Sequence, residues 1–309
     1  MDVKSRVSFV VAAIPAHNEE KTIAKVVLEA QKYVDKVVVC DDGSDDLTAE
    51  IADKLGADVV SHTTNKGYGT AVQTLFGRTL QLGATTLVML DADGQHNPSE
   101  IPSVIEPILE GNADIVVGSR FLNENKKTNN VPKYRQIGIK IITRLSGAAS
   151  KHVLSDCQSG FRAYNRKAIE SLELSEKGMG ISIEILMEAK KKGLKIAEVP
   201  ISCNYKGLDT SSNGAVIHGV GLITSLVRLL VEDRPLLVIG VPGLISIAVG
   251  AIFGIWMIQI YTMEKIIITN IALASIAFIL IGLFAIFTAI TLYSISRMYQ
   301  KMKKLQALH

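Results

Sequence analysis

The chain has 309 residues, 48% hydrophobic and 20% charged, a size that holds one large domain with an appendage. Thirty-three Lys and Arg against 30 Asp and Glu leave a formal net charge of +3, too small to make nucleic acid the main partner, and the apolar content without low-complexity tracts excludes a disordered chain. The cysteines, Cys40, Cys157 and Cys203, are odd in number and lack C-x-x-C spacing, which fits reduced thiols on the cytosolic side rather than a disulfide frame or a zinc site.

From the N-terminus, short apolar runs alternate with helical patterns. Segments 7–14, 36–40, 58–61, 86–90 and 114–117 read as strands, with helix-like stretches near 21–32, 46–55, 69–82 and 98–110. The first run is too short for a signal-peptide core and leads straight into His17-Asn18-Glu19-Glu20, so it reads as a buried strand. The alternation predicts a doubly wound, mostly parallel α/β sheet, in which ligands bind beyond the carboxyl ends of the strands.

The polar, Asn/Lys-rich stretch 121–134 reads as a loop, either a plain connection or a substrate lid. Segments 136–151 and 182–192 look helical, 195–203 looks like a further strand, and apolar residues at Val216, Val220, Ile223, Val227 and Leu230 suit an amphipathic helix on a membrane surface. Charged residues are absent from 236–263 and 266–296, with only Glu264 and Lys265 between; about 20 apolar residues span a bilayer, so two membrane helices are expected. Arg228 and Arg234 precede them and Arg297, Lys301, Lys303 and Lys304 follow, which places both ends on the cytoplasmic side. The expected organisation is a cytosolic catalytic domain over 1–213, an interfacial helix over 214–234, a transmembrane hairpin over 235–297 and a basic cytosolic tail over 298–309.

Polar residues gather where the strands end. Asp91 and Asp93 follow the fourth strand one residue apart, with Gln95 adding another oxygen; such oxygens suit Mg²⁺ or Mn²⁺, which share them with substrate phosphates, although an acidic pair can also cap a helix. Asp41 and Asp42 follow the second strand and can bind ribose hydroxyls or base N–H groups, or cap the helix that begins near Asp45. Lys66, in Asn65-Lys66-Gly67-Tyr68-Gly69, offers a cation near a helix start for an anionic group. His62, His96 and His152 lack metal-ligand spacing.

These segments, Pro15-Ala16-His17-Asn18-Glu19, Asp41-Asp42-Gly43-Ser44, Asn65-Lys66-Gly67, Asp91-Ala92-Asp93-Gly94-Gln95 and Gly118-Ser119-Arg120, follow the order and spacing of family 2 glycosyltransferases with the GT-A fold. With Asp156-Cys157-Gln158-Ser159-Gly160-Phe161-Arg162 and the C-terminal apolar pair, the chain resembles the dolichol-phosphate mannose or glucose synthases. The resemblance implies that Pro15, His17, Glu19, Asp41, Asp42, Lys66 and Asp91 hold the nucleotide of a sugar donor, and that Asp93 and Gln95 ligate Mg²⁺ or Mn²⁺. It implies that Arg120 and Arg135, helped by Lys206, grip the phosphate of a dolichyl or polyprenyl acceptor, with Asp93, Arg120, Arg135 and Asp156 carrying catalysis. Glu184 matches another family acid, and Ile139 stands where members often carry Ser.

The implied reaction is inverting, metal-dependent transfer of one hexose from a donor of the GDP-mannose or UDP-glucose class to polyprenyl phosphate beside the lipid bilayer. Its rivals are transfer to another membrane acceptor and a catalytically inactive nucleotide-sugar-binding subunit. The oligomeric state is open. A processive polysaccharide synthase would carry Q-x-x-R-W, whereas the only Trp, Trp256, lies in an apolar span.

Overall fold

The computed structural model describes residues 8–122, 154–203, 231 and 234–306. Arg135, Lys206, residues 123–134 of the expected loop, the helix expected over 136–151 and all but residues 231 and 234 of the interfacial helix expected over 214–234 lie outside them. Two compact units are present, Met1–Ser225 and Leu226–His309.

Within the first unit the described residues form a seven-stranded sheet in the order β3-β2-β1-β4-β6-β5-β7. Its strands are β1 (Val10–Ala16), β2 (Lys36–Asp41), β3 (Asp58–Ser61), β4 (Thr86–Met89), β5 (Ile115–Ser119), β6 (Arg162–Asn165) and β7 (Ile196–Pro200). All pairings are parallel except those of β6 with β4 and β5. The helices are α1 (Ile23–Ala30), α2 (Thr48–Lys54), α3 (Tyr68–Gln81), α4 (Ile101–Leu109), α5 (Arg166–Ser171) and α6 (Ile181–Lys191).

Residues of a strand alternate between its two faces, and β1 shows the result. Val10, Ala12 and Ile14 pack with α1, α2 and α4, while Val11 and Ala13 pack with α3, α5 and α6. Every β1 residue is buried, the pattern of a central parallel strand covered on both sides.

β6 and α5 were not expected. Arg162-Ala163-Tyr164-Asn165 is short and half polar, so it carries no strand periodicity. It forms a strand because β4 and β5 supply partners on both sides, pairing Arg162 with Met89 and Val117. β5 is therefore next to the edge strand β7 rather than central.

Strand order reverses between β1 and β4, and that junction shapes the crevice. β1 pairs with β2 as far as Ala16 but with β4 only as far as Ala13. Proline cannot donate to a ladder. The Ala13 carbonyl accepts from Leu90 N, so Pro15, two residues on, faces the same side, past the end of β4, where no ladder bond is owed.

The second unit contains α7 (Val241–Glu264), entered through a wide π-type turn over Leu236–Gly240, and α8 (Thr269–Gln306). Both are long and apolar enough to cross a membrane, over Leu236–Glu264 and Thr269–Met298. They are no core helices of a soluble fold: Ile252, Phe284 and Phe287 are 65%, 69% and 70% exposed. Such an all-round apolar, outward-facing surface supports membrane association. The helices pack on each other through small residues. A Cβ on Gly250 would lie 2.9 Å from both Ile279 N and Ser275 O, and the Ser275 hydroxyl donates to Gly250 O at 2.8 Å.

Candidate active site

The loops after β1 and β2 are stitched together. Asn18 takes the left-handed conformation at φ 56, tolerated by Asn better than by most residues, and its Oδ1 accepts from Asp45 N at 2.9 Å. Glu19 N donates to the Thr48 hydroxyl at 2.7 Å and Glu20 N to Asp46 at 3.1 Å. Glu19 accepts the Thr22 hydroxyl at 2.9 Å. Burial, with Asp93, Asp46 and Asp91 nearby, raises its pKa. His17 stands exposed at the rim.

Asp41 and Asp42, both buried, serve different neighbours. Asp41 accepts from the hydroxyl and N–H of Ser44. Asp42 turns inward, where Oδ1 meets His62 Nδ1 at 2.6 Å and Lys66 N at 2.9 Å, and Oδ2 meets Gly67 N at 2.8 Å. Burial raises its pKa, but these bonds outweigh it and hold the carboxyl below the ordinary range. The start of α3 is thus no open anion cradle: the N–H groups of Lys66 and Gly67 are taken by Asp42, and that of Gly69 by Lys177 O at 2.8 Å. The side chain of Lys66 is exposed.

Asp91 and Asp93 leave β4 at the strand-order reversal. The Tyr68 hydroxyl donates to Asp91 Oδ1 at 3.0 Å, and Gln95 N donates to Asp93 Oδ1 at 2.9 Å. Burial raises the pKa of Asp91, opposed by the Tyr68 bond and the fields of Arg120 and Arg162. His96 accepts from Asp91 N through Nδ1 at 3.3 Å, and burial lowers its pKa to about 4, keeping it neutral. A Cβ on Gly160 would lie 2.6 Å from Asp91 Oδ1 and closer still to Oδ2, so only glycine lets this backbone approach the carboxylate.

The segment carrying Gly160 is held by two groups that sequence reasoning passed over. Arg162, fully buried on β6, donates to the carbonyls of Cys157, Ser159 and Ser182 at 2.6, 2.8 and 2.9 Å. Glu198, on β7, accepts from Ser155 N, the Ser155 hydroxyl and Asp156 N. Asp156, wholly buried, then binds the Arg120 guanidinium as a fork, with Nε at 2.6 Å and Nη2 at 2.8 Å. Glu184 has a supporting position too, accepting from Ser175 and Glu176 N in the loop that meets Gly69.

The site is a row of acids at the carboxyl edge of β1, β2 and β4, flanked by an arginine–carboxylate fork. The glycosyl transferase family 2 model matches residues 11–173. The chain belongs to glycosyl transferase family 2. It is 35% identical over 239 residues to the UDP-N-acetylglucosamine--dolichyl-phosphate N-acetylglucosaminyltransferase of Methanococcus voltae, covering 70% of this chain and 94% of that one. It is 32% identical over 224 residues to the dolichyl-phosphate hexose transferase of Haloferax volcanii, covering 71% of this chain and 92% of that one. Among solved structures it is similar to glucosyl-3-phosphoglycerate synthase from Mycobacterium tuberculosis in complex with Mn²⁺, UDP and phosphoglyceric acid. The TM-score is 0.58 at 21% identity, over 72% of this chain and 78% of that one. That likeness shows the fold, a GT-A-like sheet.

In this glycosyltransferase the structure brings Pro15, Glu19, Asp41, Asp91, Asp93 and Gln95 to one sheet edge and joins Arg120 to Asp156. Among the described residues no three His, Cys, Asp or Glu side chains form a metal cage. The oxygens of Asp93 and Gln95 beside Asp91 still suit a hard cation that keeps waters and takes phosphate oxygens from its substrate.

Proposed function

We propose that this family 2 enzyme transfers one hexose from a nucleotide-sugar to dolichyl or polyprenyl phosphate, with inversion at the anomeric carbon. The observation that carries the reading is the combination, in one chain, of the acidic edge of β1, β2 and β4 with two apolar helices of membrane-spanning length. Relatives named for dolichyl-phosphate acceptors support it. One of them is named for an N-acetylglucosamine donor, so the donor panel extends beyond GDP-mannose and UDP-glucose.

In this reading Pro15, His17, Glu19, Asp41 and Lys66 surround the nucleotide, and Asp91 lies beside the diphosphate. Asp93 and Gln95 would hold Mg²⁺ or Mn²⁺, which offsets the charge developing on the nucleoside diphosphate leaving group. Without a cation, Glu19, Asp91 and Asp93 would repel the donor's diphosphate. A phosphate monoester has a second pKa of about 6, so the acceptor arrives largely dianionic and needs no strong base; alignment of its oxygen carries the step. Asp156 holds the Nε and Nη2 edge of Arg120 and so fixes the plane of the guanidinium presented to that phosphate. The pair is nearly neutral, so the remaining attraction for a dianion falls to Arg135 and Lys206. The catalytic unit and both ends of the helical hairpin face the cytosol, following the basic residues Arg297, Lys301, Lys303 and Lys304.

The test is incubation of detergent-purified protein with labelled nucleotide-sugars, Mg²⁺ or Mn²⁺ and polyprenyl phosphates. A lipid-linked sugar phosphate of inverted anomeric configuration is expected from at least one donor. Turnover only on a lipid without a phosphate would overturn the acceptor assignment.

A further inference from the structure

His62, just past β3, belongs to none of the motifs that identify the site, yet its side chain is only 7% exposed and is bonded at both ring nitrogens. Nδ1 lies 2.6 Å from Asp42 Oδ1, and Nε2 lies 2.9 Å from the Thr74 hydroxyl and 3.8 Å from Cys40 Sγ. An ionised carboxylate only accepts, so Nδ1 carries the proton toward Asp42. Cys40 does not compete as an anion: burial, with Asp42 and Asp41 nearby, pushes its thiol up to about 12.

Asp42 passes this anchoring on to the backbone of Lys66 and Gly67. On the far side of the same segment, a Cβ on Gly67 would lie 2.5 Å from Lys177 O. The turn is therefore clamped between the Asp42 carboxylate and the backbone of the 175–178 loop, with little room to relax.

We infer that His62 and Asp42 form a positioning pair for the donor half of the site. Through Asp42, His62 sets where Lys66 and Gly67 stand, and the Asp42 carboxylate acts on the loop instead of on the nucleotide. The inference rests on the nucleotide-sugar reading above. Neither side chain meets reacting atoms, so loss of the pair weakens donor binding and leaves turnover at saturating donor largely intact.

Two substitutions separate positioning from simple filling of space. His62→Asn keeps a donor where Nδ1 stands and loses the Nε2 side; His62→Gln keeps an acceptor near Nε2 and loses the bond to Asp42. Calorimetry of the full-length protein with UDP or GDP and Mn²⁺ is read beside thermal melting and the KM and kcat for the donor. Expected are a Kd and donor KM raised about tenfold in His62→Gln, the loss of one hydrogen bond to a charged group, and a Kd within about threefold of wild type in His62→Asn, with kcat retained in both. Equal effects in the two variants, or a selective loss in His62→Asn, would overturn the assignment. If the wild-type protein itself binds neither nucleotide, the nucleotide-sugar reading fails and takes the positioning role with it.

Discussion

Gly160→Ala adds one methyl group to the backbone that passes Asp91. Ordinary contact for a Cβ begins near 3.4 Å, and this one would start at 2.6 Å from Oδ1 and closer still to Oδ2, so the carboxylate must retreat by at least about 0.8 Å. It is the end of a short side chain, and rotation is open to it, but rotation breaks the bond from the Tyr68 hydroxyl. The folded state should therefore lose only about 1 kcal/mol, the low end for overpacking. Function should lose far more, because displacing a binding group by about 1 Å can cost roughly 10²-fold in rate, or about 2.7 kcal/mol of barrier. The assay is transfer of labelled sugar to polyprenyl phosphate, run beside thermal melting. A variant that melts within a few degrees of wild type and keeps kcat/KM within threefold would refute the claim that Gly160 exists to admit the Asp91 carboxylate.

Other outcomes are equally specific. Asp93→Ala and Gln95→Ala should weaken Mn²⁺-dependent binding of a nucleoside diphosphate, Asp93 more, and calorimetry showing unchanged affinity in both removes them as ligands. Arg120→Ala should raise the KM for polyprenyl phosphate, leave nucleotide affinity nearly intact, and lower stability by about 3 kcal/mol because it strands the buried Asp156; a nucleotide Kd that moves as much as the acceptor KM would place the arginine in the donor site. Asp42 has a folded pKa below its ordinary 3.8, so its stabilising contribution is present above that value and is lost as pH falls through the folded pKa. Asp42→Asn should melt lower than wild type at neutral pH and lose less on acidification below about pH 4; parallel melting curves across that range would contradict the depressed pKa.

Strands and helices whose burial follows one period were legible in the chain: β1 to β5 and α1 to α4 came from apolar runs between polar loops. Ends were less so. β1 runs two residues past its apolar core, through Pro15 and Ala16, because β2 continues to pair with it there. β6 left no signal, since Arg162 and Asn165 are polar and only the flanking strands make the segment extended. Acids of the site could be found from their places after strands. Their division of labour could not, because it depends on partners distant in sequence: Asp42 on His62, Asp156 on Arg120 and Glu198, Asp91 on Tyr68. Glu198 sits in an ordinary strand pattern, and nothing in its neighbourhood announces that it receives the Asp156 loop.

The reversed direction of β6 bears on how this enzyme can change. A chain that leaves a parallel strand at its carboxyl end normally has to cross to the opposite edge before it can re-enter the sheet. Here it leaves β5 at Ser119 and enters β6 at Arg162, which pairs with Val117, so departure and return lie on the same edge, beside the acids. Residues 123–153 of this connection lie outside the described residues, but both of its anchors stand on that edge, so a change in its length need not shift the register of any strand. Doubling such a segment costs about 0.6 kcal/mol in closure entropy. The connection can therefore change in length and composition while β1, β2 and β4, which carry the acids, stay as they are.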